Sequence, residues 1–327
     1  MRAMLCTAYG EPEDLALGEI DLPPPGPGEV AVAIHTAGVN FADALMIAGT
    51  YQEKPPFPFS PGFEAAGIVS EVGPGVTRVA PGDRVLAVVD WGAYAAGLIA
   101  RETDVFRIPE AMDFITAAGL PITYGTAHGS LTWRAKLQAG EVLLVHGAAG
   151  GVGLAAVEVG KALGATVIAA ARSAERLAIA TEHGADHTID TLDEDIRERV
   201  LAITDGRGAD VIFDPVGGDI FDESLRCAAW SGRLLIIGFA GGRIPKIPAN
   251  ILLVKNLAAM GLYWGAYRRR APDLLTAEFA QIFEWYERGQ IRPRVAHSAD
   301  LAHAAKALAL LRSRQAVGKI VLTVTDA

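Results

Sequence analysis

Cysteine is scarce in this 327-residue chain. Two residues, Cys6 and Cys227, cannot build a disulfide framework; they suit a reducing compartment, each as a small buried hydrophobe. Positive charge is also short. With 29 Lys and Arg against 38 Asp and Glu, the net charge of −9 leaves no basic stripe to displace counterions from a nucleic acid. The one compact basic run, Arg268-Arg269-Arg270, reads as a solvated turn before Pro272. No apolar stretch reaches the length of a membrane span without a charge or a glycine-rich break. The apolar run Ala3 to Ala8 behind Arg2 is too short for a signal-peptide core. Repeats, low-complexity tracts and long linkers are missing as well. These absences point to a soluble cytoplasmic protein that binds neither nucleic acid nor membrane. Its length and 51% apolar content allow a sizeable core in two domains.

What is present centres on Val142 to Gly164. Val142 to His146 is mostly apolar and β-prone and reads as a short buried strand. Gly147 to Gly153 turns the chain, after which Val152, Ala155, Ala156, Val159 and Leu163 recur at helical spacing. Strand, glycine turn and helix form the context in which a glycine fingerprint indicates a dinucleotide site. Ala149, Gly150, Gly151, Val152 and Gly153 are its candidate contacts. Gly150 lets the backbone approach a pyrophosphate, Gly153 lets the helix sit close to the strand, and the helix N-terminus offers free N–H groups. The usual first glycine is displaced, with Ala148 in its place and Gly147 beside it. The next strand, Thr166 to Ala171, leads into Arg172-Ser173-Ala174-Glu175-Arg176. Sites for NAD usually carry Asp or Glu here to bind the ribose 2′-hydroxyl. Its absence favours NADPH, with Arg172, Ser173 and Arg176 available to the 2′-phosphate. The alternative for the two arginines is a solvated helix start.

Residues 1 to about 120 differ from this middle section. Strand-like segments such as Val30 to Thr36 and Ala65 to Val72 are separated by Gly/Pro turns, which predicts a β-rich, barrel-like unit. From 142 to 263 strand and helix alternate, the signature of a doubly wound parallel sheet. From about 266 the pattern changes again: an amphipathic helix over Asp273 to Arg288, a helix over Asp300 to Leu311, and a last strand over Lys319 to Val324. These pieces are too small to stand alone and are assigned to the first domain. The expected domains are therefore 1–122 plus 266–327, and 123–265.

Several segments in order resemble the medium-chain dehydrogenase/reductase superfamily, and within it the zeta-crystallin-like quinone oxidoreductases. They are Ala37-Gly38-Val39-Asn40-Phe41-Ala42-Asp43, Pro61 to Gly67, Gly82-Asp83-Arg84-Val85, Gly147 to Gly153 and Gly318 to Leu322. The segment Gly238 to Gly265 also resembles the quinone-oxidoreductase-like subgroup. The resemblance implies an α/β fold: a Rossmann doubly wound sheet inserted in a β-rich GroES-like domain, in a homodimer. Zinc-dependent relatives carry a cysteine where this chain has Asn40 and a histidine where it has Phe63. Glu64 alone cannot hold a tetrahedral zinc. The four-cysteine structural loop is missing too, since Trp91 to Thr123 contains no cysteine. No metal is expected.

Hydride addition to a quinone, carbonyl or enone leaves negative charge on oxygen, which a zinc-free site must meet with hydrogen-bond donors. The resemblance places Asn40, Asp43 and Tyr51 on the catalytic side, with Tyr51 as the best donor, Asn40 as an amide donor and Asp43 orienting its neighbours. It puts Thr126 near the nicotinamide ribose, and Pro215, Val216, Gly238, Phe239 and Ala240 beside the ring. Thr126 has a second reading, an interior helix hydroxyl. Leu45 and Thr191 stand where some relatives have tyrosines, the latter a 2′-phosphate contact. The expected function is NADPH-dependent quinone reduction on a small-molecule acceptor. The rivals are an enone or enoyl-CoA reductase and a non-catalytic NADPH-binding crystallin-like or RNA-binding protein. A short-chain reductase is disfavoured, because Tyr124, Tyr263 and Tyr286 have no lysine four residues on.

Overall fold

Strand Glu29–Val39 organises the first unit of the fold. It is long enough to change partners along its length. On one side its first half pairs with Gly97–Arg101 and its end pairs with Lys319–Thr323; Glu64–Val72 covers the other side. Val295–Asp300, Arg84–Val88 and Val105–Arg107 complete a seven-stranded sheet. Val30, Val32, Ile34, Val69, Val85, Leu98 and Leu322 are buried together in its core. A computed structural model of the chain describes residues 1–324. Two compact units emerge: Met1–Ile122 with Gly265–Phe283 and the described residues from Pro293 to 324, and Thr123–Trp264 with Glu284–Arg292.

The basic run is not a solvated turn. Arg268 is 6% exposed and pairs with Asp90 at 2.9 Å and Asp104 at 2.8 Å, while Arg269 bridges Asp90 and Glu53. The partners lie far away in sequence, so the run read alone shows only its charge. Strand Val295–Asp300, which runs parallel to Lys319–Thr323, also carries no clear signal: its edge position leaves it half-exposed and without apolar alternation.

The second unit has six parallel strands: β1 (Val142–His146), β2 (Thr166–Ala171), β3 (His187–Asp190), β4 (Ala209–Asp214), β5 (Ala228–Ile236) and β6 (Ala258–Gly261). They lie in the order β3-β2-β1-β4-β5-β6. This is the doubly wound Rossmann order, with its reversal between β1 and β4. Central β1 is buried along its whole length, as a strand covered by helices on both faces must be. Segment Glu284–Arg292 joins this unit, and a buried carboxylate shows why. Glu158, on helix Gly151–Ala162, accepts hydrogen bonds from the Tyr124 hydroxyl and from the Arg292 N–H, and lies 2.5 Å from His183 Nδ1.

Candidate active site

In the first unit the site begins where the long strand ends. Antiparallel register sets Ile320 opposite Val39, so Lys319 falls opposite Asn40. From the other flank, Ala65 pairs with Ala37 and brings Glu64 alongside Gly38. A Cβ on Gly38 would lie 2.3 Å from Glu64 Oε1, so only glycine leaves room for that carboxylate. The three side chains then close on one another. Lys319 Nζ donates to Asn40 Oδ1 at 2.5 Å and lies 2.6 Å from Glu64 Oε1, and Asn40 Nδ2 donates to the same Oε1 at 2.7 Å. Glu64 Oε2 accepts the Ile122 N–H at 2.7 Å. These contacts determine the amide's orientation: its oxygen faces the ammonium, and one N–H remains for another acceptor.

Asn40 also starts helix Phe41–Ile47. Asp43 reaches back so that its Oδ2 accepts the Asn40 N–H at 2.7 Å, and Tyr94 donates its hydroxyl to the same oxygen at 2.7 Å. Asp43 is fully buried, and desolvation pushes its carboxyl up to about 7 despite both donors. Its Oδ1 has no partner among the described residues. Burial, with the Asp43 charge beside it, also raises the Tyr94 phenol well above the usual range, so it stays a donor. Tyr51 is half-buried, its ring edge-on to Phe63 at 5.2 Å, next to Glu64 in the chain. Asn40 and Asp43 are thus directly bonded, while Tyr51 approaches through Phe63. Sequence reasoning missed Tyr94 and Lys319. Glu64, taken there to stand alone, has an ammonium on it.

This donor set does not fit a zinc ion. Residue 40 offers an amide, residue 63 a phenyl ring, and the remaining carboxylate already holds a cation. No group of three His, Cys, Asp or Glu suited to a metal occurs among the described residues.

In the second unit the candidate cofactor residues gather at the C-terminal ends of the strands. Helix Gly151–Ala162 begins directly after the turn, with Gly150 at its cap. A Cβ on Gly153 would lie 2.2 Å from the Gly147 carbonyl oxygen, which is the close helix-to-strand approach a dinucleotide turn needs. Ala149, Gly150, Gly151 and Val152 therefore present backbone at a helix N-terminus, a fit for a pyrophosphate. His146, just before the turn, is held neutral by burial, with Nε2 2.7 Å from Ser224 Oγ. Beyond β4, buried Asp214 accepts the N–H groups of Val216 and Gly217 at 2.7 and 2.9 Å. Pro215 O accepts the Ala240 N–H and Val216 O the Gly241 N–H, which brings Pro215, Val216, Gly238, Phe239 and Ala240 together. Thr126 is half-buried on helix Pro121–Gly129, its carbonyl accepting the Ser130 hydroxyl. Arg172, Ser173 and Arg176 lie at the end of β2, Arg172 exposed and the other two half-buried. Asp190, at the end of β3, was not anticipated here: its Oδ1 accepts the Ser173 N–H at 3.2 Å. Both cysteines are buried free thiols, and desolvation pushes Cys227 up to about 12.

Comparison with known proteins agrees with this architecture. Residues 26–110 match the alcohol dehydrogenase GroES-like domain family, and residues 151–283 match the zinc-binding dehydrogenase family. The chain belongs to the medium-chain dehydrogenase/reductase superfamily, in its quinone oxidoreductase group. It is 44% identical to a quinone oxidoreductase-like protein 2 homolog of Nematostella vectensis, over 98% of this chain and 88% of the relative. Quinone oxidoreductase of Pseudomonas aeruginosa is 38% identical over 96% of this chain and 97% of its own. Among solved structures, Escherichia coli quinone oxidoreductase complexed with NADPH superposes with a TM-score of 0.91 at 31% identity, covering 99% of this chain and all of that one.

Proposed function

We propose that this chain is an NADPH-dependent quinone oxidoreductase that transfers hydride without zinc. When bound, the nicotinamide cofactor supplies the hydride. The second unit holds it: the turn 149–153 takes the pyrophosphate, Arg172, Ser173 and Arg176 take the 2′-phosphate, and Thr126 with Pro215, Val216, Gly238, Phe239 and Ala240 takes the nicotinamide end. In the first unit, Tyr51 donates to the oxygen on which charge develops, and Asn40 offers its remaining amide N–H to the same charge. Asp43 and Tyr94 keep the start of the Asn40 helix in place. A quinone becomes aromatic on reduction, so donors of this modest strength suffice.

The observation that carries this reading is the Lys319 ammonium on Asn40 and Glu64, which replaces metal-binding chemistry with hydrogen-bond chemistry at that position. Relatives and a solved neighbour that bear the name quinone oxidoreductase, the neighbour in complex with NADPH, support it. The test is oxidation of NADPH with 1,4-benzoquinone, 2-alkenals and enoyl-CoA esters side by side, before and after a chelator. Quinone turnover ahead of the others and insensitive to chelation is the expected result. Faster enoyl-CoA turnover, or loss of activity with the chelator, refutes the proposal.

The chain is further proposed to act as a cytoplasmic homodimer. Strand β6 ends the sheet with one edge unpaired among the described residues, and exposed Leu253 and Val254 precede it, a surface suited to a second copy. Two buried free thiols suit a reducing compartment, and among the described residues no helix is long and apolar enough to cross a membrane.

A further inference from the structure

Strand β2 ends at Ala171 with no carboxylate of its own, yet the fold delivers one. Parallel pairing sets Asp190 of β3 in register with Ala171. The Asp190 Oδ1 accepts the Ser173 N–H at 3.2 Å and the Leu192 N–H at 3.0 Å, while its own N–H donates to Glu194 Oε2 at 2.8 Å. Ser173 itself has φ of 79° and ψ of 143°, a conformation close to glycine-only territory. Such a backbone persists only where its surroundings hold it, and it tends to mark a functional position. The bond from Asp190 is one of those holds.

The end of the second Rossmann strand is where the adenosine ribose lies, and an acid there normally serves a free 2′-hydroxyl. A 2′-phosphate carries close to two negative charges, so the same acid repels it. The groups around this point are mixed in sign. Arg172 is exposed and makes no ion pair among the described residues, Arg176 is the third residue of the following helix, Ala174–Glu182, and Glu175 is exposed between them. Glu194 is neutralised by Arg199 at 2.6 Å.

We propose that Asp190 is a specificity-determining residue, which restrains the preference for NADPH over NADH that Arg172 promotes. The proposal rests on the cofactor reading above and adds a residue to it. It makes the chain more tolerant of NADH than the missing acid on β2 alone would indicate.

Asp190→Asn is the informative variant, since it keeps an oxygen acceptor for Ser173 and Leu192 and removes only the charge. Its ratio of kcat/KM for NADPH to kcat/KM for NADH is expected to rise about five- to tenfold. The change should be carried by KM for NADPH, with kcat unaltered, and it should shrink at high salt, because the charge of half-buried Asp190 is still partly screened. Asp190→Ser, which also keeps an acceptor, provides the same reading if the Asn variant folds poorly. Arg172→Gln should lower the ratio in either background. A ratio within about twofold of wild type in a folded variant, or equal gains for both cofactors, overturns the proposal. Cofactor binding by the wild type, followed by fluorescence, separates the two levels. If NADPH binds and the ratio is unmoved, only the role of Asp190 falls. If neither cofactor binds, the cofactor reading falls with it.

Discussion

Replacing Lys319 by methionine removes an ammonium that is 6% exposed and leaves a carboxylate with no exposure at all. Taking one partner from a buried ion pair costs about 3–5 kcal/mol, because the other charge stays desolvated and uncompensated. Glu64 keeps two donors, the Ile122 N–H and the Asn40 amide, so the lower end, about 3 kcal/mol, applies. For a unit of this size each kcal/mol moves the melting temperature by about 2–4 °C, which puts the expected loss at about 6–12 °C. Differential scanning calorimetry of Lys319→Met, Glu64→Gln and the double variant measures it. The double variant should recover most of the loss, because it leaves no buried charge behind, and the two changes should couple by more than about 1 kcal/mol. Activity should fall alongside, since Asn40 loses the partner that orients its amide oxygen, while NADPH affinity, set by the second unit, stays near wild type. A melting temperature within about 2 °C of wild type, or strict additivity in the double variant, would show that the ammonium does not hold the cluster.

Tyr51→Phe should lower kcat about 10–100-fold if the phenol donates to the developing oxyanion; unchanged steady-state kinetics would remove it from the mechanism. Gly153→Ala places a methyl 2.2 Å from the Gly147 carbonyl oxygen, so the helix must move off the strand. The KM for NADPH should rise more than tenfold, or the second unit should lose stability, as read by kinetics and thermal melting. Asp43 gives a pH signature: a free Asp titrates near 3.9, whereas burial raises the folded value to about 7. Between those values the folded chain binds a proton that the unfolded chain has lost. This contribution to stability is therefore full below about pH 4 and falls away as pH rises through about 7. Asp43→Asn should remove that part of the melting-temperature profile, and an unaltered profile would mean that the carboxyl titrates normally.

How much of this was legible in the sequence depends on how local each signal is. The alternation of strand and helix from Val142 to Gly261 and the glycine turn are local patterns, and they indicate the doubly wound sheet directly. The candidate cofactor turn 149–153 follows from that pattern, whereas 215–216 and 238–240 are implied by the family resemblance; all of them sit beyond a strand's C-terminal end, where such sheets bind ligands. Arg268, Lys319, Tyr94 and Asp190 escape it. Each has a meaning set by a partner in another segment: Asp90 and Asp104 for Arg268, Asn40 and Glu64 for Lys319, Asp43 for Tyr94, and Ser173 for Asp190.

Strand register turns such residues into a site, and it explains why charge alone misleads. Sequence inspection finds a lone acid at Glu64 and an acid-free strand end at Ala171. Pairing across the first sheet gives the acid a cation by setting Lys319 against Asn40. Pairing across the second gives the strand end an acid by setting Asp190 against Ala171. Both are single-register effects: moving either strand by one residue would turn the charged side chain to the opposite face of its sheet. The same packing that buries Ile320 and Leu322 in one sheet and Ile189 in the other therefore fixes the electrostatics at both ends of the proposed reaction. A substitution that alters core packing in Lys319–Thr323 or His187–Asp190 should consequently disturb chemistry or cofactor choice without touching any residue that contacts either ligand.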